Sequence, residues 1–269
     1  MYAASSREAL AGARAVLESA TGSAQTAATT GDELLEVSRL LGDNRELLTA
    51  LTEAAVPPAE RGAVAKAVLA GKVGDPTRDV VAAAAGGQWS TSSDLVSGVH
   101  DLGVLALLRS ADAAGDGDAV EDELFRLGRI IAANPELEQA LSDRSRGTAE
   151  RAGLIRSLVA KKVNPVTEKL AVDAIERAQQ FPADALAALA DQAAGISGRR
   201  VAHVRSAAAL SDKQREQLAD KLEADLGSPV TLHVDVDPAL LGGVVVRVGN
   251  EQIDGSVAGK FAAVRRGLR

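Results

Sequence analysis

Along most of the chain, apolar residues return every three to four positions, the spacing that gives a helix one buried face. Leu34, Val37, Leu40 and Leu41 form one such stripe, and Val120, Leu124, Leu127, Ile130 and Ile131 form another. A stripe of this kind is stable only against a partner surface, so the pattern predicts bundled helices rather than isolated ones. Asn44 and Asn134 follow the stripes where a helix should stop, and Pro135 forbids unbroken continuation. Each stripe therefore belongs to a set of short antiparallel helices.

The two stripes are copies of one another. Shifting the sequence by 90 residues places Glu33-Leu34 on Glu123-Leu124, Arg39 on Arg129, Asn44 on Asn134 and Glu46-Leu47 on Glu136-Leu137. Without a gap, Ala50-Leu51 then meets Ala140-Leu141, Ala59-Glu60-Arg61 meets Ala149-Glu150-Arg151, and Lys72-Val73 meets Lys162-Val163. About a third of positions 33 to 77 are identical in the two copies, and many others exchange one apolar residue for another. This is the signature of an internal duplication. Between the copies, Gly86-Gly87 and Ser90 to Ser93 interrupt the helical pattern, and Asp94 is expected to cap a new helix through Leu95, Val99 and Leu102. The segment Ala113 to Asp118 reads as a loop between helices.

After about residue 199 the period drops from near four to two. Val201, His203 and Arg205 alternate with Ala202, Val204 and Ser206, and Val230, Leu232, Val234 and Val236 alternate with Thr231, His233 and Asp235. Both runs predict strands with one buried face. Between them, Ser211 and Gln214 make a capping box for a helix with the stripe Leu218, Leu222 and Leu226, ended by Gly227. A third strand, Val244 to Val248, leads through Gly249-Asn250 into a tight hairpin returning by Gln252 and Ile253. A last helix is expected from Ser256, with the stripe Val257, Phe261, Val264 and Leu268. The fold predicted is mainly α: two tandem helical bundles, 1–88 and 89–199, followed by a small α/β domain, 200–269.

Composition agrees with this reading. The apolar fraction of 46% comes mostly from Ala, Leu and Val, with one Trp, one Tyr and three Phe, which favours packed helices over sandwiches or barrels. The chain has no cysteine, which excludes sulfur redox chemistry and fits a reducing compartment. No signal-peptide core is visible in Met1 to Leu10, and no apolar run approaches the length of a membrane span. A net charge of -7 argues against nucleic acid as a partner. The tail is the exception to that acidity: Lys260, Arg265, Arg266 and Arg269 crowd the last ten residues without an acidic neighbour. Either they complement the negative end of the final helix, or they meet acidic side chains of a partner.

Candidate chemistry is sparse. His100, His203 and His233 stand apart in the chain from one another and from carboxylates at ligand spacing, and read as surface residues rather than metal ligands. Neither Gly71-Lys72 nor Gly259-Lys260 has the flanking residues of a phosphate loop, and neither Ser197 nor Ser256 lies in a nucleophile elbow. No catalytic residue, cofactor site or metal site is predicted.

The run Val236-Asp237-Pro238-Ala239-Leu240-Leu241-Gly242-Gly243-Val244-Val245-Val246-Arg247-Val248-Gly249, followed by Ile253-Asp254-Gly255-Ser256-Val257, resembles the C-terminal signature of the delta subunit family of F-type ATP synthases, whose mitochondrial relative confers oligomycin sensitivity. Upstream, Ser206-Ala207-Ala208-Ala209-Leu210-Ser211 is similar to the family's strand-to-helix junction, with Ala209 where proline is frequent. The likeness covers roughly residues 119 to 269. It implies a non-catalytic stator subunit, resisting rotor torque in proton-driven ATP synthesis. The implied partners are the catalytic head, through α-subunit N-terminal segments, and the b-type stalk subunits, with the membrane reached only through the complex at its cytoplasmic face. Asp237, Pro238, Gly242, Gly243, Gly249, Asp254, Gly255 and Ser256 are expected to build the domain rather than bind anything. The basic tail is the expected stalk contact. The additional bundle copy departs from the common form and resembles an actinobacterial long type, and Ser6-Arg7-Glu8-Ala9-Leu10 stands where the family often has Tyr-Ala-x-Ala-Leu. The rival to this reading is a free helical-repeat adaptor or scaffold.

Overall fold

The computed structural model of the chain describes residues 2–177, 181–240, 242–249 and 251–255. The first copy contributes α1 (Ala4–Ala20), α2 (Ala24–Asp43), α3 (Arg45–Thr52), α4 (Pro58–Leu69) and α5 (Asp75–Gly86), and α6 (Ser92–Ala114) opens the stretch expected as the second copy. That stretch continues with α7 (Gly117–Ala132), α8 (Pro135–Ser142), α9 (Thr148–Val159), α10 (Pro165–Arg177) and α11 (Pro182–Ile196). Helices α8 and α9 begin and end 90 residues after α3 and α4, so the sequence repeat is a repeat of elements. By contacts the chain forms two compact units: the residues up to Val120 with Asn164–Leu170, and Glu121–Val163 with the described residues from Ala171 onward.

In the first unit, Leu17, Leu34, Leu41, Leu51, Leu95 and Leu102 fill the core. Helix α2 packs along α6 at a glycine: a Cβ on Gly31 would lie 2.7 Å from Leu107 Cγ and 3.0 Å from the Gly103 carbonyl oxygen. Three of the identities between the copies are polar anchors, two of them buried, rather than core residues. Glu33 accepts the Gly74 N–H at 3.0 Å and the hydroxyl of fully buried Thr77. Arg61, buried, gives its guanidinium to backbone carbonyls at the end of α5. Their counterparts Glu123, Thr167 and Arg151 are the same residue types, and Arg151 donates to the carbonyls of Leu141 and Ile175, the latter 90 residues beyond the Ala85 carbonyl bound by Arg61. Helix ends need such donors because their last carbonyls have no partner within the helix.

Asp94 does not cap α6. The cap is Thr91, whose side chain accepts the Asp94 N–H at 3.1 Å, while the Asp94 carboxylate accepts the hydroxyl of buried Ser6 at 2.6 Å. Both residues are good caps, and tertiary bonding to α1 decided between them. Ser6, in the family motif's place, thereby ties α1 to α6 and also accepts the Ser90 N–H. The loop expected over Ala113 to Asp118 shortens to Gly115-Asp116.

The remaining described elements are β1 (Arg200–Ser206), α12 (Asp212–Leu226), β2 (Val230–Val236), β3 (Val244–Val248) and β4 (Glu251–Asp254). The sheet runs β2-β1-β3-β4, with β1 and β2 parallel across the α12 connection and the other pairs antiparallel. One face, Ala202, Val204, Val230 and Val246, packs on Leu222 of α12. The capping box is present, with Ser211 and Gln214 bonding reciprocally. Ser211→Ala should cost about 1 kcal/mol of local stability, read as faster amide exchange in the first turn of α12; unchanged exchange there would contradict the cap's role.

The strands are expected to bury one face, and the second is covered in part as well. On β2 the residue at a polar position, His233, is 3% exposed and lies under α7 and α11 of the second copy. The helix expected from Ser256 lies outside the described residues.

Candidate functional site

Helices α2 to α5 leave a small apolar gap between them, lined by Val37, Leu40 and Leu41 of α2, Leu47 and Leu51 of α3, Ala65, Val68 and Leu69 of α4, and Val81 of α5. The floor residues Leu41, Leu51 and Ala65 are buried, whereas Leu40 keeps 42% exposure and nearby Val64 39%. Shifted by 90, every lining position is again apolar: Leu127, Ile130, Ile131, Leu137, Leu141, Ile155, Leu158, Val159 and Ala171. In that second set Ile130 is 54% and Leu158 38% exposed. At one equivalent place, Leu40 and Ile130, the duplication has kept a large apolar side chain in water, where each forgoes about 1 kcal/mol of burial. Leu40 and Ile130 are exposed apolar positions of the kind that the apolar face of a partner helix covers. The signal was already in the stripes: adjacent pairs Leu40-Leu41 and Ile130-Ile131 make each stripe wider than one neighbouring helix covers.

The family-signature residues gather at the connection from β2 to β3, which must cross the end of β1 because β1 lies between them. The Asp237 N–H donates to the Ser206 carbonyl at 2.8 Å, and the Ala207 N–H donates to the Gly243 carbonyl at 3.3 Å, so the crossing is held on both sides by the end of β1. The Asp237 carboxylate accepts the Ala239 N–H at 3.0 Å, closing the turn that contains Pro238. Gly242 and Gly243 have φ of 144° and 84°, conformations that side chains disfavour. Gly249 opens the β3–β4 connection, Asp254 ends β4 opposite Val245, and the Gly255 N–H donates to the Val244 carbonyl at 2.9 Å. Ser256 and the basic residues Lys260, Arg265, Arg266 and Arg269 lie outside the described residues.

Two of the three histidines, expected on the surface and apart, are neighbours. The parallel register pairs His203 of β1 with His233 of β2. Around them converge Asp191 of α11 and Glu121 of α7. His203 Nε2 lies 3.1 Å from Asp191 Oδ2, His233 Nδ1 lies 3.4 Å from Asp191 Oδ1, and His233 Nε2 donates to Glu121 Oε1 at 3.1 Å. Arg199 donates to the other Glu121 oxygen at 2.6 Å, and Phe125 stacks on the His233 ring with centroids 4.0 Å apart. Beside this group, Arg129 pairs with Asp235. Burial opposes charge on His233, yet the flanking Asp191 and Glu121 carboxylates outweigh it and raise its pKa above the usual histidine value. Burial likewise pushes Asp191 up, but its histidine neighbours prevail and hold it at about 2. His100 lies elsewhere, beside Asp101.

The family model of the ATP synthase delta (OSCP) subunit matches residues 104–268. The "ATP synthase subunit delta" of Nocardia farcinica is 49% identical over 269 residues, covering 100% of both chains. That of Rhodococcus opacus is 47% identical, covering 100% of this chain and 99% of its own, and that of Corynebacterium diphtheriae 43%, covering 98% and 99%. These likenesses extend over the first helical copy as well as the part that carries the signature. On these grounds the chain belongs to the ATP synthase delta (OSCP) subunit family.

Proposed function

We propose that the chain is the non-catalytic connector of an ATP synthase stator, joining the catalytic head to the b-type stalk and resisting rotor torque while protons drive ATP synthesis. The observation that carries the finer part of this reading is the pair of exposed apolar positions, Leu40 and Ile130, at equivalent places 90 residues apart, each beside an apolar stretch that the duplication has kept. Each place receives an amphipathic helical segment, and the N-terminal segments of the head's α-subunits are the occupants. The α/β portion, with the tail residues Lys260, Arg265, Arg266 and Arg269, meets acidic side chains of the stalk helices. Three contacts in one chain reinforce one another, because engaging one raises the effective concentration at the others. Among the described residues no helix is long and apolar enough to cross a membrane, and the chain reaches the cytoplasmic face of the cell membrane through its partners.

Co-purification tests the reading. Leu40→Asp combined with Ile130→Asp should leave helicity and thermal midpoint unchanged, both sites being exposed, while head subunits are lost from the complex. Head subunits retained at wild-type yield would remove these two positions from the reading. Charge reversal at Arg265 and Arg266 should weaken stalk binding at moderate salt, and unaltered binding would eliminate the tail contact. Removing the chain should uncouple ATP hydrolysis from proton pumping; coupling that persists without it would overturn the stator role.

A further inference from the structure

The geometry points to a divalent metal site formed by His203, His233 and Asp191, for which zinc is the best-matched ion. With His233 Nε2–H donating to Glu121, the ring's Nδ1 carries a lone pair, and it points at Asp191 Oδ1 across 3.4 Å. Both atoms are buried and neither has a hydrogen-bond partner. Two electron-rich atoms do not face each other out of water at no cost, so a positive centre belongs between them. A proton on Nδ1 makes this an ion pair at 3.4 Å, and metal binding releases that proton to solvent. A metal ion does not have the directional demand of a hydrogen bond, since it lies off the line joining its ligands.

The third ligand completes the set. His203 Nε2 lies 3.1 Å from Asp191 Oδ2, and the three ligand atoms lie within 4.8 Å of one another. The two histidines reach different oxygens of Asp191, Oδ2 at 3.1 Å and Oδ1 at 3.4 Å, so the carboxylate stands between the rings, within the adjustment by which one oxygen or both ligate an ion whose bonds are about 2.0–2.2 Å. In the metal-free protein the His203 Nε2–H donates to Asp191; on binding, that ring proton is carried on Nδ1 and Nε2 ligates. Glu121, held in turn by Arg199, is the carboxylate behind a ligating imidazole that fixes its tautomer. Two imidazoles and one carboxylate are a donor set that zinc favours. Asp191 and His203 keep 39% and 29% side-chain exposure, leaving a route for the ion and a place for a water ligand. The ion would tie α11 to β1 and β2, bracing the second helical copy on the sheet.

The chain has no cysteine and three histidines, so the test has few confounding ligands. The full-length protein, free of any polyhistidine tag and stripped with chelator, is titrated with zinc and with cobalt at pH 8 by calorimetry and visible absorption. Nitrogen-15 spectra of the imidazoles are recorded alongside. One equivalent should bind, moving the His233 Nδ1 and His203 Nε2 resonances while His100 stays still. His203→Gln and Asp191→Asn should each weaken binding at least about tenfold, Glu121→Gln about 10–100-fold, and His100→Gln not at all. Absence of saturable one-to-one binding, resonance shifts confined to His100, or affinity that survives His203→Gln would overturn the site. The spectra of the unaltered protein decide the matter even if a variant fails to fold.

Discussion

Arg61→Leu should destabilise the first unit by about 3–5 kcal/mol, the scale of removing one partner from a buried charged network. Arg61 is 4% exposed and donates to five backbone carbonyls: Ala85 at 2.8 Å, Val56 at 2.7 Å, Gly87 at 2.8 Å, and more weakly Glu53 and Gly86. Three of those carbonyls lie at the C-terminal end of α5, where the helix presents its negative pole. A leucine fills the volume but leaves the carbonyls in a place water does not reach. Lysine should not rescue, because a compact ammonium cannot span carbonyls spread around a planar fork. Trp89 is the chain's one tryptophan and belongs to the first unit, so its fluorescence during urea unfolding reports this loss. Arg151→Leu should cost less, about 2 kcal/mol, because Arg151 makes fewer such bonds and its Nε has no partner. A midpoint for Arg61→Leu within error of the parent protein would show that the end of α5 is satisfied some other way.

Gly31→Leu should cost about 3 kcal/mol or more by forcing α2 and α6 apart. The added Cβ alone meets Leu107 Cγ at 2.7 Å and the Gly103 carbonyl at 3.0 Å, before the rest of the side chain is placed. Leu107 is fully buried and the carbonyl is part of a helix, so neither can give way cheaply. Adding Leu107→Ala should restore part of the loss, a coupling between touching residues that a double-mutant cycle measures. Strictly additive penalties would show that the helices separate for another reason.

Much of the architecture was legible in the chain because it rests on local periodicity. The stripes, the offset of 90, the three longer strands and the Ser211–Gln214 cap are each written within a few residues. Register between strands is not. His203 and His233 are brought side by side by a parallel pairing across α12, and nothing in either strand states which residue faces which. The burial of His233 depends further on Glu121 and Phe125, more than a hundred residues upstream of it. The choice of Thr91 over Asp94 as a cap was decided in the same way, by Ser6 in a distant helix. The exposed apolar positions were half legible: the stripes announced apolar faces, but only packing shows which of their residues stay uncovered.

The two compact units exchange chain three times, between Val120 and Glu121, Val163 and Asn164, and Leu170 and Ala171. The first of these passages falls inside α7 and the last inside α10, so two of the three are helical rods rather than hinges. Each unit is therefore built from segments that are not contiguous in the sequence. Truncation at any one of these passages would leave a unit without one of its own segments, so neither unit can be expressed whole as a single continuous stretch of chain.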